Sequence, residues 1–181
     1  MALPAWREEA ISKAHNRNNF DCGVPEINDY LQKHARQNHE SGHTTTFVAV
    51  PEHDSSLVMG YYSLCNAHLE YKDAPDQLVA RMPKYPIPAV RLARLACDNQ
   101  CKGQGLGTRL LLAAAERAIE VSRNSGAVLL LIDAKDEAAA NFYEANDALR
   151  LRDDPLHLVI PLASIRDAIA SRQSAAPAGQ E

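Results

Sequence analysis

From Pro25 onward the apolar positions recur with a helical period: Ile27, Leu31 and Ala35 fall on one face, and Glu26, Gln32, Lys33 and Arg36 on the other. Pro25 suits a first helical position, where its missing N–H would have had no partner, and Gly42 supplies a stop. Thr45 to Val50 and Leu57 to Leu69 read as strands, joined through His53-Asp54-Ser55-Ser56, so they predict a hairpin. Tyr71 to Pro88 holds four of the ten prolines and cannot be one regular element, although Asp76 to Arg81 allows a helical turn or two. Val90 to Cys97 then reads as a strand. Gly107 to Ser122 is a helix with Leu111, Ala114, Ala118 and Val121 on one face and Arg109, Glu116, Glu120 and Arg123 on another, stopped by Asn124-Ser125-Gly126. Ala127 to Asp133 is apolar without alternation, the pattern of a strand covered on both faces. A short alanine-rich helix from Glu137 to Ala145, a strand from His157 to Leu162 and a helical segment from Ser164 to Ser171 follow. This order predicts one α/β domain over residues 1–172, a mixed central sheet with flanking helices, and a disordered tail at 173–181 rich in Ala, Pro and Gln.

Between the Val90–Cys97 strand and the long helix lies Gln100-Cys101-Lys102-Gly103-Gln104-Gly105-Leu106-Gly107-Thr108-Arg109. Three alternating glycines clear side chains from the backbone just where a helix begins and its first N–H groups have no internal acceptor. Such a turn can cradle a phosphate, because those donors and the positive end of the helix dipole point the same way. It can also be a tight strand-to-helix turn with glycines for geometry alone. A P-loop would need Gly-Lys-Ser/Thr, and Gly107 leads directly into Thr108; a dinucleotide fingerprint would need its third glycine one residue later.

The 181 residues suffice for a buried core, and 46% hydrophobic with 23% charged residues is the balance of a soluble globular chain. No apolar leader or bilayer-length segment is visible, so the expected location is the cytoplasm, with no membrane partner. Cys22, Cys65, Cys97 and Cys101 form no Cys-x-x-Cys pair and are expected to be reduced and free of metal. His39-Glu40-Ser41-Gly42-His43 matches the zinc-protease pattern literally, but Ser41-Gly42 followed by three threonines reads as a helix end rather than the continuous helix a zinc site needs. A net charge of −4 argues against indiscriminate coating of nucleic acid. Locally, however, Val79 to Arg109 carries Arg81, Lys84, Arg91, Arg94, Lys102 and Arg109 against the single acid Asp98. These residues are either a patch for phosphates, RNA or an acidic partner, or ordinary solvated and structural cations.

Gln100, Gly103 and Gly105 resemble the Arg/Gln-x-x-Gly-x-Gly/Ala loop of the GNAT acetyltransferases, and the resemblance extends over most of the chain. Asn19-Phe20-Asp21-Cys22-Gly23, Met82-Pro83 with Pro86-Ile87-Pro88, Arg94-Leu95-Ala96-Cys97-Asp98 and Ala139-Ala140-Asn141-Phe142-Tyr143-Glu144 stand in the order of one branch, the TacT/AtaT-type toxins of bacterial toxin–antitoxin pairs. Two departures stand out: Cys97 replaces a valine, and Asn146-Asp147-Ala148-Leu149 follows where a Gly-Phe pair is usual.

The resemblance implies a GNAT fold whose central strands, here Val90–Cys97 and Ala127–Asp133, splay to admit the pantetheine of acetyl-CoA. It implies cofactor contacts at Leu95, Ala96, Cys97, Lys102, Gly103, Gly105, Leu106, Gly107, Thr108 and Asn141, with no metal. Tyr143, a phenol with an ordinary pKa near 10, is the implied proton donor to the leaving thiolate. Backbone N–H groups around Cys97 are the candidate oxyanion hole. No general base is evident, which fits an α-amino acceptor with a pKa near 8. The implied partners are aminoacyl-tRNA, contacted at Lys84, Arg91 and Arg94, a ribbon-helix-helix antitoxin and a second copy of the chain. A housekeeping acetyltransferase acting on a small amine or protein N-terminus, and a non-catalytic coenzyme A or partner-binding relative, remain the alternatives.

Overall fold

The computed structural model describes residues 3–80 and 82–175, so Arg81 and the expected tail beyond Ala175 lie outside the described residues. In chain order the elements are β1 (Trp6–Ala10), α1 (Pro25–Asp29), a π-helical stretch (Tyr30–Ala35), α2 (Arg36–Glu40), β2 (Thr45–Pro51), β3 (Gly60–Leu69), a 3-10 turn (Tyr71–Asp73) and α3 (Asp76–Val79). They continue with β4 (Ile87–Cys97), a 3-10 turn (Asn99–Cys101), α4 (Leu106–Ser125), β5 (Leu129–Asp133), α5 (Glu137–Glu144), β6 (Leu149–Arg150), β7 (His157–Pro161) and α6 (Leu162–Ala175). Among the described residues, seven strands and their helices make the expected mixed α/β architecture. The chain groups into two compact units, Met1–Asn66 with Arg91–Ala114, and Ala67–Val90 with Ala115–Glu181.

In the first unit the strand order is β1-β2-β3-β4, with β1 antiparallel to β2 and β2 antiparallel to β3. β1, absent from the sequence reading, pairs Trp6 with Pro51 and Ala10 with Phe47. Its Arg7, Glu8 and Glu9 mask any apolar alternation, and they suit an edge strand, where charge discourages further pairing. Tyr62 in β3 donates its hydroxyl to Glu8 at 2.8 Å. Thr46 and Ser63, both buried and directly opposite, satisfy each other at 2.7 Å. β3 begins at Gly60 rather than Leu57 because Asp54 closes a wider turn, accepting from the Ser56 N–H at 3.0 Å and its hydroxyl at 2.7 Å. The helical run from Pro25 covers the core cluster of Phe20, Cys22, Leu31, Ala35, Val48, Val50, Tyr61 and Ala96. Tyr61 anchors that cluster, edge-on to Phe20 at 5.6 Å and donating to the Ile27 carbonyl at 3.0 Å.

In the second unit the order is β4-β5-β7-β6, with β5 and β6 each antiparallel to β7. The proline-rich connection is a packed wall rather than a loose loop: Ala74, Val79, Ile87 and Ala89 join Leu129, Leu131 and Val159 in one core cluster. The Val128 N–H donates to the Pro88 carbonyl at 3.0 Å. α6 starts two residues before the expected Ser164 and takes in 173–175 of the expected tail. Among the described residues no helix is long and apolar enough to cross a membrane.

Candidate functional site

At the end of β4 the chain makes a capped turn. The Asp98 carboxylate accepts from the Gln100 N–H at 2.9 Å, and the Asp98 carbonyl accepts from the Cys101 N–H at 2.9 Å. Gly103 (φ +72°) and Gly105 (φ +80°) then sit in the left-handed region, and a Cβ on either would meet no atom within 4 Å. These two glycines are needed for their backbone angle, and the space beside them is open. α4 starts at Leu106, one residue before the expected Gly107, with Leu106 buried and Gly107 and Thr108 in the first turn. The unpaired N–H groups of that turn face no intrahelical acceptor.

Gly60 lets this helix start lie close to β3. A Cβ there would stand 2.8 Å from Leu110 Cδ1, 3.0 Å from the Ala96 carbonyl and 3.2 Å from Leu106 Cδ2. The Lys102 ammonium donates to the Cys22 carbonyl at 2.6 Å, which ties the loop back to the segment before α1.

Along β4, Leu95 and Cys97 are half-buried and Ala96 is buried. Burial pushes the Cys97 thiol up to about 12 and also raises Cys22 and Cys101, so all three are neutral thiols at physiological pH rather than nucleophiles. The exposed Arg94 lies 5.0 Å over the Tyr30 ring and donates to the Ala93 carbonyl at 2.6 Å. Arg91 is half-buried. The His-Glu-x-x-His run breaks as expected: α2 stops at Glu40, and Gly42 takes φ +78°. His39 Nδ1 accepts from the Thr46 N–H at 3.0 Å, and His43 Nδ1 bonds the Ser41 hydroxyl at 2.7 Å.

In the second unit Tyr143 rides on α5, a helix set by an Asp136 cap that accepts from the Ala139 N–H at 2.8 Å. The Lys135 ammonium, and then the Ala139 N–H, hold the Asp136 carboxyl below its usual range. Ala140 and Tyr143 form the buried stripe of the helix, and the Tyr143 ring meets Phe142 edge-on at 5.1 Å. In the turn after Phe-Tyr-Glu the left-handed position is taken by Asp147, the one described non-glycine residue with positive φ, at 68°. The chain thereby turns back, and the Ala148 N–H donates to the Tyr143 carbonyl at 3.1 Å.

Arg150 on β6, which the sequence reading passed over, clamps the exposed face of α5. It donates to both Glu137 oxygens at 2.6 and 3.0 Å, to Glu144 at 2.8 Å and to Asn141 Oδ1 at 3.0 Å. Its guanidinium holds Glu137 and Glu144 below the usual carboxylate range. The visible signal was the spacing of Glu137, Asn141 and Glu144 along one helix face, an acceptor row without a local cation. Asn141, an expected cofactor contact, thus has its carboxamide oxygen occupied. Lys84 is exposed on the proline-rich connection.

Residues 43–147, from the approach to β2 through the glycine loop to the end of α5, match the family model described as an acetyltransferase (GNAT) domain. The chain belongs to the GNAT acetyltransferases, and within them to the TacT/AtaT type. It is 34% identical over 156 residues, 86% of this chain and 92% of the relative, to a protein of Mycobacterium tuberculosis named tRNA-acetylating toxin. It is 24% identical over 160 residues, covering 84% of this chain and 88% of the relative, to the probable toxin TacT of Sinorhizobium fredii. Among solved structures, AtaT complexed with acetyl-methionyl-tRNAfMet superposes with a TM-score of 0.84 at 26% identity, covering 91% of this chain and 99% of that one. AtaTR bound with AcCoA gives 0.80 at 27%, covering 91% and 98%.

Proposed function

We propose that this protein is a toxin that transfers an acetyl group from acetyl-CoA to the α-amino group of aminoacyl-tRNA and so withholds that tRNA from translation. The observation that carries the cofactor half is the open cradle at Gly103 and Gly105 running into the unpaired N–H groups of α4. The tRNA half is supported by the tRNA-acetylating relative matched over 86% of this chain.

In this reading the N–H groups of Lys102, Gly103, Gly105, Leu106, Gly107 and Thr108 take the pyrophosphate. Backbone groups of Leu95 and Cys97, to either side of the buried Ala96, pair with the pantetheine amides as an added strand. Asn141 offers its amide N–H groups to the same arm, since Arg150 holds its oxygen. The neutral α-amine attacks the thioester carbonyl, and the oxyanion is held by backbone N–H at the end of β4.

Tyr143 donates its proton as the C–S bond breaks. An ordinary phenol near 10 giving its proton to an ordinary thiolate near 8.5 goes uphill by about 2 kcal/mol, so the transfer is useful only in concert with C–S cleavage. The proton lost by the nitrogen, which became cationic on forming the C–N bond, then restores the phenol, leaving amide and free thiol with no net charge change. Lys84, Arg91 and Arg94 contact tRNA phosphates, and the chain works as a homodimer neutralised by a ribbon-helix-helix antitoxin. The chain reversal at Asp147 keeps the end of α5 intact despite the missing Gly-Phe, which favours catalysis over mere binding.

The test is expression without antitoxin, followed by incubation of purified protein with labelled acetyl-CoA and charged tRNA. Growth should arrest, and label should enter charged tRNA, leave on mild alkaline deacylation and spare uncharged tRNA. Label on polyamines or protein lysines with normal growth would replace the toxin by a housekeeping acetyltransferase.

A further inference from the structure

The segment Phe20–Gly23 is far in sequence from the glycine loop, yet it is tied to the turn that feeds it. The Asp21 N–H donates to Asp98 Oδ2 at 3.0 Å, and the Asn99 N–H donates back to the Asp21 carbonyl at 2.8 Å. The Asn99 amide donates to Asp21 Oδ2 at 3.1 Å, and the Lys102 ammonium closes the set on the Cys22 carbonyl. On its other oxygen Asp21 accepts from the Gly23 N–H at 2.7 Å and from the Asn28 amide at 2.8 Å. Asn28 Oδ1 in turn accepts from the Cys22 N–H at 2.9 Å, so the segment is fixed to α1 as well as to the loop. Gly23 takes φ +77°, and a Cβ there would lie 3.4 Å from Asn99 Oδ1. Asp21 therefore receives donors from α1, from its own turn and from the Asn99–Cys101 turn at once. Those donors also hold its carboxyl below the usual range, led by the Gly23 N–H.

We infer that Asp21 is a positioning residue for acetyl-CoA: through Asn99 and Asp98 it fixes the direction in which the Gly103–Thr108 N–H groups point, and so sets cofactor affinity without touching the cofactor. A carboxylate near an anion site would by itself repel the ligand. Its presence beside the loop is explained by geometry, because a carboxylate sets two acceptor oxygens against the three N–H donors, where an amide or a hydroxyl has only one oxygen. The inference rests on the loop being the acetyl-CoA site.

The experiment is a comparison of native protein, Asp21→Asn, Asn99→Ala and the double variant Asp21→Asn with Asn99→Asp, by calorimetric titration with acetyl-CoA and by steady-state kinetics with charged tRNA. Asp21→Asn places a donor against the Asn99 amide. It should raise both the acetyl-CoA dissociation constant and its KM roughly tenfold, the scale of one broken charge-assisted hydrogen bond, with kcat and the tRNA KM changed less than twofold. Asn99→Ala removes only an exposed side chain, keeps the Gly23 and Asn28 bonds to Asp21, and should reproduce the same KM shift in a folded protein. The double variant exchanges acceptor and donor across the pair and should restore affinity. Tighter binding in Asp21→Asn would show that the carboxylate acts only as a repelling charge. Unchanged affinity in Asn99→Ala, or a double variant no better than Asp21→Asn, would reduce the cluster to a fold element. If native protein takes up no acetyl-CoA, the loop assignment falls and this inference with it, whereas native binding with unaltered variants overturns the inference alone.

Discussion

Gly105 and Gly42 form a matched pair that separates backbone strain from loss of the cradle. Both are exposed, both adopt a left-handed conformation at φ +80° and +78°, and a Cβ on either meets nothing within 4 Å. An L-residue in that region costs about 1–2 kcal/mol, and a β-branched one sits at the upper end. Valine at either position should therefore lower the melting temperature similarly, by about 2–4 °C per kcal/mol for a chain of this size. The difference lies in what the open space is for. Beside Gly42 it is solvent at the end of α2, whereas beside Gly105 it is the volume the pyrophosphate is proposed to fill. Gly105→Val should weaken acetyl-CoA binding at least tenfold, and Gly42→Val should leave it within twofold. Differential scanning calorimetry and isothermal titration on the two variants measure both quantities. If Gly105→Val binds like native protein while losing the same stability as Gly42→Val, the glycine loop is a turn and not a phosphate site.

Gly60→Ala should cost about 1–3 kcal/mol in chemical denaturation, because its Cβ would overlap Leu110 Cδ1 and press on the Ala96 carbonyl; a neutral substitution would mean that α4 is free to move away from β3. Tyr143→Phe should keep fold and acetyl-CoA affinity and lose most turnover, and unchanged kcat at saturating substrates would reduce Tyr143 to its packing against Phe142. Lys84→Glu and Arg94→Glu should raise the tRNA KM and flatten its salt dependence by about one unit of slope for each phosphate no longer neutralised, leaving acetyl-CoA binding alone; a salt slope identical to native would place the RNA elsewhere.

Much of this was legible in the chain because the relevant signals are local. The glycine loop, the long helix and the unalternating β5 run each declare themselves within about twenty residues and lie where the pattern placed them, to within three residues at the boundaries. The buried face of α4 is turned from the expected one: Val121 is exposed, and Leu110, Ala115 and Ile119 are buried beside Leu111, Ala114 and Ala118. What stayed hidden depends on partners distant in sequence. β1 carries three charges in five residues and becomes a strand only because β2 supplies its hydrogen bonds. β6 is two residues long and exists because β7 pairs with it. The π-helical stretch at Tyr30–Ala35 interrupts a run whose apolar spacing fits an ordinary α-helix. Asp21 looked like one letter of a motif, and its role appears only when Asn99, 78 positions away, is brought against it. The tie between the Lys102 ammonium and the Cys22 carbonyl is likewise invisible in the chain, because its two ends stand 80 positions apart.

The turn after α5 bears on how relatives of this chain are found. At Asp147 the molecule keeps a left-handed dihedral of 68° in a residue that is not glycine, and the return of the Ala148 N–H to the Tyr143 carbonyl is preserved. What the turn needs there is an angle, not a letter. A search pattern that demands glycine after Phe-Tyr-Glu would discard this chain, and with it every homologue in which aspartate or asparagine bends the backbone the same way. A pattern that scores the propensity for positive φ at that position would keep them.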